Sequence, residues 1–322
     1  MKSVTFSMLG AVCAGVLVLG GSAFAADYPS KQLELVVPYA AGGGTDLLAR
    51  AYADTAKNYA GQAIGVVNKT GGAGAIGLSD IARGKADGYK IGMGTVEMSM
   101  LPHMGQNAAF TIKDFTPIAR LNAEPSAISV NKDSPLKTVE EFLEFAKANP
   151  GKIRIGNSGP GAIWHIAAAA LEDKAGITVT HVPFDGAAPA ITALLGGHIE
   201  AVTVSVQEVA SHVDGGNIRL LAVLDNQRHP KYPDIPTLKE KGVDVAVSTW
   251  RGIVGPANLP ADVVAKLSDI SAKTAADPAF QETLKKMNLT AAYLDAAGFK
   301  DAIEKDNAFF EEFMAKLGIG KK

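Results

Sequence analysis

The sequence predicts an α/β fold, because strand-like and helix-like segments alternate along most of the chain. Short apolar runs of strand length recur across the 322 residues, and most are followed by longer stretches of helical length. Strands that alternate with helices of about 10–15 residues are typical of βαβ units and of a mostly parallel sheet. A chain of this length commonly divides into two domains.

The individual elements follow from apolar periodicity and from stop signals. Predicted strands lie at residues 33–37, 64–67, 90–94, 127–130, 153–156, 179–182, 201–204, 220–223 and 253–254. Predicted helices occupy residues 45–59, 138–148, 162–175, 187–195, 263–274, 278–287 and 299–316. Asn149-Pro150-Gly151, Gly176 and Gly196-Gly197 each end one of these helices, as expected of C-caps and the turns that follow them.

The N-terminus has the layout of a cleaved secretory signal. Lys2 is the only charge before Asp27, an apolar stretch covers residues 8–20, and Ala23-Phe24-Ala25 provides the small residues of a cleavage site. The apolar stretch is shorter than the roughly 20 residues needed to span a bilayer. We therefore predict a signal peptide at residues 1–25 and a periplasmic location for the mature chain.

Composition excludes several kinds of site and partner. The only cysteine, Cys13, lies within the predicted signal, so the mature chain can form neither a disulfide nor a cysteine-based zinc site. The formal net charge is −2 without a long Lys or Arg run, which is unlike a nucleic-acid-binding protein. The six histidines include no pair at helical metal-ligand spacing. We expect no metal, no cofactor and no nucleic-acid partner.

Two glycine-rich turns are the candidate binding elements. Residues 38–46 follow a predicted strand and open a helix, and residues 156–162 repeat this design. Glycines allow a ligand close to backbone N–H groups that have no partner within the helix, and the helix dipole favours an anion there. Both turns follow strand ends, where α/β sheets bind ligands, so we expect them to share one carboxylate site. Ordinary turns capped by Thr45 or Asp46 are the alternative.

Two further motifs resemble enzyme signatures. Residues 72–77 match the dinucleotide pattern G-x-G-x-x-G, but Lys69 and Thr70 separate them from the preceding strand. Residues 156–160 resemble the hydrolase elbow G-x-S-x-G, with Pro160 in place of the last glycine. Neither motif is accompanied by a convincing set of nucleophile, base and orienting group. We predict that the chain is not an enzyme; an exported hydrolase or dehydrogenase is the alternative.

The series of motifs resembles the Bug-type, or TctC-like, extracytoplasmic solute receptors of tripartite tricarboxylate transporters. No single block is decisive, but together the blocks extend over nearly the whole mature chain in the family's order. They lie at residues 28–29, 36–43, 46, 49–50, 61–62, 71–77, 87–89, 150–152, 156–161, 165, 181–184, 188–190, 194–197, 220–223, 233–237 and 250–252.

This resemblance implies a type II periplasmic binding protein, with two α/β lobes and a ligand cleft between them. Lobe 1 would comprise residues 26–124 and 251–322, and lobe 2 would comprise residues 125–250. The resemblance also implies a receptor that captures a di- or tricarboxylate, or a related organic acid, by hinge closure and delivers it to transporter membrane subunits. A ligand-presenting partner of a membrane signalling protein is the alternative. A monomer is the expected state.

The resemblance and the two turns together give the candidate ligand-binding residues. Family members hold a ligand carboxylate at the first glycine turn, often through water, while the second lobe supplies the helix N-terminus that begins near Ser158. Glu97 and Asp185 depart from the family pattern; unless solvated or paired, they would repel a fully ionised tricarboxylate and favour an acid that also carries a hydroxyl, amine or amide. The candidates are Tyr39, Ala40, Gly42, Gly43, Thr45, Asp46, Thr95, Glu97, Ser158, Gly159, Ala162, His165, Asp185, Ser205 and Trp250.

Overall fold

The computed structural model describes residues 28–39, 41–105, 108–184, 186–318 and 320. The predicted signal peptide and the candidate residues Ala40 and Asp185 lie outside the described residues. The strands are β1 (Leu33–Val37), β2 (Ile64–Asn68), β3 (Lys90–Thr95), β4 (Phe115–Asn131), β5 (Arg154–Asn157), β6 (Thr180–Pro183), β7 (Ala201–Ser205), β8 (Ile218–Leu224), β9 (Ser248–Pro256) and β10 (Ala291–Leu294). The helices are α1 (Gly44–Ala60), α2 (Ala75–Ala82), α3 (Glu97–Met100), α4 (Val139–Ala148), α5 (Ile163–Ala175), α6 (Ala187–Leu195), α7 (Val206–Asp214), α8 (Ala261–Ala276), α9 (Pro278–Lys286) and α10 (Ala296–Lys316).

The predicted strands and helices all have counterparts, but the prediction of a mostly parallel sheet is wrong. Only two sets of three strands are parallel, β2-β1-β3 and β7-β5-β6. Strands β4 and β9 run antiparallel to their neighbours and lie between these sets. The sheet order is β2-β1-β3-β9-β4-β7-β5-β6, and β8 and β10 pair with β4 outside this path. The architecture is therefore a mixed sheet with flanking helices.

Strand β4 is the longest strand and has different partners along its two halves. From Phe115 to Pro125 it pairs with β9, and from Ser126 to Asn131 its partners include β7 and β8. The sequence predicted only the second half of this strand. Pro117 and Pro125, together with charged side chains, interrupt the apolar pattern of the first half, and the ladder shifts register just after Pro117. Tertiary pairing, rather than local propensity, therefore determines where β4 begins.

The dinucleotide-like glycines serve close packing between α2 and the end of β1. Gly77 lies in the first turns of α2, and a Cβ there would sit 2.6 Å from both Lys69 O and Pro38 Cα. Such an approach is closer than carbon and oxygen atoms tolerate, so the third glycine of the motif is required by backbone contact. The loop before it also includes Gly71 at φ +126° and Gly74 at φ +95°, which favour glycine.

Glu124 is a completely buried carboxylate where β4 meets the chain before β10. Thr290 donates to it from its backbone N, 2.5 Å from Oε1, and from its hydroxyl, 3.2 Å from Oε2. His229 Nδ1 accepts from Lys231 N, so Nε2 bears the hydrogen and donates to Thr290 Oγ1 at 2.9 Å. Burial raises the pKa of Glu124 to about 7, although the contacts with Thr290 and the charge of Arg251 oppose this shift.

We predict that Gly77→Ala destabilises the protein, whereas Gly298→Ala does not. The added methyl group at position 77 must displace backbone, which costs about 1–3 kcal/mol of unfolding free energy. Gly298 lies in the first turn of α10, where the nearest atom to an added Cβ is a side-chain oxygen at 3.3 Å. Replacing this helical glycine by alanine should raise the unfolding free energy by at most about 1 kcal/mol. Urea unfolding of the two variants measures the contrast; equal effects would contradict the packing role of Gly77.

We predict that Glu124→Gln changes how stability depends on pH. The pKa of Glu124 rises from 4.5 to about 7 on folding, so its contribution is complete below pH 4.5 and is lost as the pH rises through 7. The unfolding free energy of the wild type, measured relative to Glu124→Gln, should fall by on the order of 2–3 kcal/mol between pH 5 and pH 8. Urea titrations at both pH values test this, with the exposed Glu144→Gln as the control. Parallel pH profiles for wild type and Glu124→Gln would refute it.

Candidate ligand-binding cleft

The carboxyl ends of both parallel sets border the same short stretch of β4 and β9. Thr95 ends β3, and its register partner Arg251 on β9 also pairs with Asn122 on β4. Ser205 ends β7 and is paired with Ser126 on β4. Asn122 and Ser126 are four residues apart, which is roughly 13 Å along a strand. Ligands of α/β proteins commonly bind outside such strand ends, where the direction of connection changes.

A cavity of about 200 Å³ lies at this junction, on the side of β1 and β3. Its wall combines four hydroxyl groups with one carboxylate and one guanidinium. The lining residues are Tyr39, Thr45, Thr95, Glu97, Thr249 and Arg251. The cavity therefore brings together Tyr39, Thr45, Thr95 and Glu97, four of the residues that the sequence indicated as candidates.

Hydrogen bonds fix most of these side chains in place. The Tyr39 hydroxyl lies 3.2 Å from Thr95 Oγ1, and Arg251 Nε donates to Thr45 Oγ1 at 2.9 Å. Burial, and then the negative charge of Glu97, raises the pKa of Tyr39 well above its ordinary value, so the phenol keeps its proton. Arg251 Nη1 is buried and has no hydrogen-bond partner among the described residues. The guanidinium is thus anchored by one edge and has donors left for a ligand.

Thr249 and Arg251 line the cavity but were missed by sequence reasoning, and the candidate Trp250 between them is a correction. Side chains alternate along a strand, so Trp250 lies on the opposite face of β9 from Thr249 and Arg251. The Trp250 ring contacts Phe299 at a centroid distance of 5.1 Å, and its Nε1 donates to Asp306 at 2.6 Å. Trp250 is therefore a core residue behind the cleft. The sequence alone could have indicated Arg251 only if it had shown which residues of β9 face the cavity.

Asp46 is a second correction, because its carboxylate is fully used within the protein. It accepts from Gly42 N at 2.8 Å, from Arg50 Nε at 2.9 Å and from Asn68 Nδ2 at 2.9 Å, and it is 1% exposed. Burial opposes its ionisation, but these three hydrogen bonds outweigh burial and lower the pKa of the carboxyl. Gly42, whose N–H is thereby occupied, is likewise part of the turn's own structure. Gly43 is the N-cap of α1 and has no side-chain cap.

In the second turn, too, the protein's own atoms occupy backbone amides. Gly159 N donates to Asn157 Oδ1 at 3.0 Å, Ala162 N to Gly159 O at 3.1 Å, and Gly161 N to His165 Nδ1 at 3.1 Å. The Nδ1 atom of the His165 ring therefore supports the turn. Burial, followed by the nearby His181, lowers the pKa of His165, which favours the neutral acceptor form.

Ser205 at the end of β7 and Ser158 just after β5 have opposite roles. The Ser205 hydroxyl caps α7 in a capping box, donating to Glu208 Oε2 at 2.7 Å and accepting from Glu208 N at 3.3 Å. Its hydroxyl is therefore engaged, which corrects the expectation of a ligand contact. The Ser158 hydroxyl is buried and has no hydrogen-bond partner among the described residues. Ser158 thus stays a candidate.

Unpartnered buried polar atoms concentrate around this junction. Among the described residues nine such side-chain atoms occur, and five of them belong to strands or turns that border the cleft. These five are Asn122 Oδ1, Ser126 Oγ, Asn157 Nδ2, Ser158 Oγ and Arg251 Nη1. A buried polar group without a partner costs about 1–3 kcal/mol, so its persistence calls for a bound polar group or water.

The segment that follows α3 also contacts the turn that follows β5. A Cβ at Gly161, in the second turn, would lie 2.8 Å from Met104 Cε, and Met104 follows α3 on the other border. The Met104 side chain therefore reaches the turn that contains Ser158.

The described part of the chain contains neither a metal-binding cluster nor a membrane-spanning helix. No group of three or more His, Asp or Glu side chains in the described part of the chain is arranged to hold a metal ion. Within that same part, no helix is both long enough and apolar enough to cross a bilayer.

Comparisons with known proteins identify relatives over almost the full length. Residues 48–319 match the family model described as "Tripartite tricarboxylate transporter family receptor". A crystal structure of a TctC solute-binding protein from Polaromonas, without ligand, is 44% identical, has a TM-score of 0.85, and is matched over 90% of this chain and 99% of that one. The UPF0065 protein in the gbd 5′ region of Cupriavidus necator is 31% identical over 95% of this chain and 94% of its own.

A third relative was solved with a ligand. This R. palustris protein, Rpa4515 with adipate, is 26% identical, has a TM-score of 0.75, and is matched over 92% of this chain and 100% of its own. The periplasmic binding protein fold and the family resemblance expected from the sequence are both confirmed. The chain belongs to the tripartite tricarboxylate transporter receptor (TctC) family, whose members are solute-binding receptors and not enzymes.

Proposed function

We propose that this chain is a periplasmic receptor that captures a small organic acid and delivers it to the membrane subunits of a tripartite tricarboxylate-type transporter. The observation that carries the proposal is Arg251, a guanidinium with an unpartnered buried nitrogen that lines a polar cavity at the strand-end junction. Charge-assisted, two-pronged hydrogen bonding to a carboxylate is the interaction that a guanidinium makes best. The relative solved with adipate, a dicarboxylate, supports the same ligand class.

The proposed mechanism is closure of two lobes around the bound acid. We propose residues 26–124 with 251–322 as one lobe and residues 125–250 as the other. This division is supported by the partner exchange of β4 between Pro125 and Ser126, close to the start of β9 at Ser248. The ligand would shift the population toward the closed form by the difference between its affinities for the closed and open forms.

Within the closed cleft, the residues near the end of β3 and those near the end of β5 would bind different parts of the ligand. Arg251, with the hydroxyls of Tyr39, Thr45 and Thr95, would hold a carboxylate on one side. Ser158 and the Asn157 amide would contribute hydrogen bonds from the other side, where both have an unpartnered buried atom. Export through the signal peptide predicted at residues 1–25 would bring the receptor to the periplasm, where we propose that it acts as a monomer.

The chain from residue 26 should be stabilised by at least one small organic acid. A ligand present at 100 times its dissociation constant adds about 2.7 kcal/mol to the unfolding free energy. The melting temperature should therefore rise by roughly 5 °C in a thermal-shift panel of succinate, glutarate, adipate, citrate, lactate, benzoate and the amino acids. Neutral sugars and polyamines are the controls. Stabilisation by these controls, with none from any acid, would sink the proposal.

Arg251→Gln should weaken binding of the strongest acid from that panel by about 10–100-fold, the usual value of a hydrogen bond to a charged group. Arg251→Lys should be intermediate, because it retains the charge but loses the planar fork. Isothermal titration calorimetry measures both affinities. The matched control is Arg154→Gln, which removes an exposed arginine that pairs with Glu200 at the start of β5. An affinity unchanged by Arg251→Gln, in a variant that melts cooperatively, would exclude Arg251 as the carboxylate anchor.

A further inference from the structure

The cavity holds one negative and one positive side chain, and neither neutralises the other by direct contact. Among the described residues that line it, Glu97 is the only acid and Arg251 the only base; the others are Tyr39 and three threonines. No ion pair between Glu97 and Arg251 occurs in the described part of the chain. Glu97 forms no ion pair with any Lys or Arg in the described part of the chain.

The backbone places Glu97 beside the cation. Thr95, the last residue of β3, is paired in register with Arg251, and Glu97 follows two residues later as the first residue of α3. The charge of Glu97 also acts on the Tyr39 hydroxyl, which lies in the same cavity wall. Glu97 is therefore part of the same cavity wall as Arg251 and Tyr39.

The lining of the cavity has one basic side chain and one acidic side chain. Arg251 is the only basic residue among the described residues that line the cavity. A second acid, Glu124, is on the neighbouring strand at the register position of Thr249, and its charge interaction is with Arg251. A ligand with two or three carboxylates would have one counter-charge available and would bring a further negative charge into the cavity that Glu97 lines. Like charges inside a cavity of about 200 Å³ repel.

We propose that the cleft selects a zwitterion, a small acid that also carries a protonated amine, with Arg251 binding the carboxylate and Glu97 binding the ammonium group. This proposal rests on the proposed receptor function and specifies its ligand class. The hydroxyls of Tyr39, Thr45, Thr95 and Thr249 complete a surface whose formal charge matches a neutral, dipolar ligand. A zwitterion satisfies both charged walls at once, whereas a dicarboxylate satisfies one and opposes the other.

Two sets of nearly isosteric probes separate charge from shape. The first set is glutarate, 4-aminobutyrate and butyrate, which differ at the far end by a negative, a positive or no charge. The second set is methylmalonate, alanine and isobutyrate, which vary the charge next to the carboxylate in the same way. Calorimetry on the chain from residue 26 should give the amino acid of at least one set about tenfold or greater preference over its dicarboxylate counterpart.

Glu97→Gln should then remove most of that preference, weakening the amino acid about tenfold and strengthening the dicarboxylate. Glu144→Gln, an exposed change on α4, is the matched control and should leave both affinities as they are. Cooperative melting of each variant establishes that it is folded.

The other outcomes overturn one or both proposals. Equal or tighter binding of the dicarboxylates by the wild type overturns the zwitterion proposal and leaves the receptor function standing. A preference for amino acids that survives Glu97→Gln overturns the zwitterion proposal in the same way. Binding of some other acid, when no amino acid in either set binds, also overturns the zwitterion proposal and leaves the receptor function standing. Failure of every organic acid to bind overturns the receptor function itself.

Discussion

The partner exchange of β4 is the constraint on which the binding site depends. This strand pairs with β9 and β10 up to Pro125, and with β7 and β8 after it. The carboxyl end of β3 lies beside β4 through β9, because Thr95 pairs with Arg251 and Arg251 pairs with Asn122. The carboxyl end of β7 lies beside β4 directly, because Ser205 pairs with Ser126. These strand pairings bring the two strand ends together without a long loop. A slip by one residue would turn Arg251 away from the cavity and Trp250 into it.

The two glycine turns are held in shape by hydrogen bonds from the protein's own groups. In both glycine turns the protein's own groups occupy amides that a ligand would otherwise use: Asp46 at Gly42, Asn157 at Gly159 and His165 at Gly161. These bonds hold the turns in shape before a ligand arrives, which lowers the ordering cost of binding. The unpartnered atoms that are left, above all Arg251 Nη1 and Ser158 Oγ, are those whose desolvation a ligand can offset.

The sequence predicted the fold class and four of the residues that line the candidate cavity, and its failures have physical reasons. Tyr39, Thr45, Thr95 and Glu97 were found because residues after strand ends meet at one edge. Arg251 was missed in favour of Trp250, since periodicity shows that side chains alternate but not which face binds a ligand. The role of Asp46 was readable in part, because its spacing to Arg50 is that of a helical ion pair. Its bonds to Gly42 and Asn68, by contrast, follow from tertiary structure. The first half of β4 was hidden by two prolines that pairing with β9 overrides.

Main-chain groups hold the junction together, whereas side chains determine the charge of the cavity. The ladders of β3, β4 and β9 use main-chain groups, so a change at position 97, 158 or 251 leaves their hydrogen bonds in place. The hydrogen bond from Gly42 N to Asp46 holds the turn before α1, and the capping bond of Ser205 holds the start of α7, both independently of the cavity charges. Replacement of one cavity side chain therefore alters the charge seen by a ligand without altering the junction that presents it. A few side chains at strand ends thus determine the charge of the cavity, whereas main-chain ladders and helix-start hydrogen bonds determine the fold of the junction.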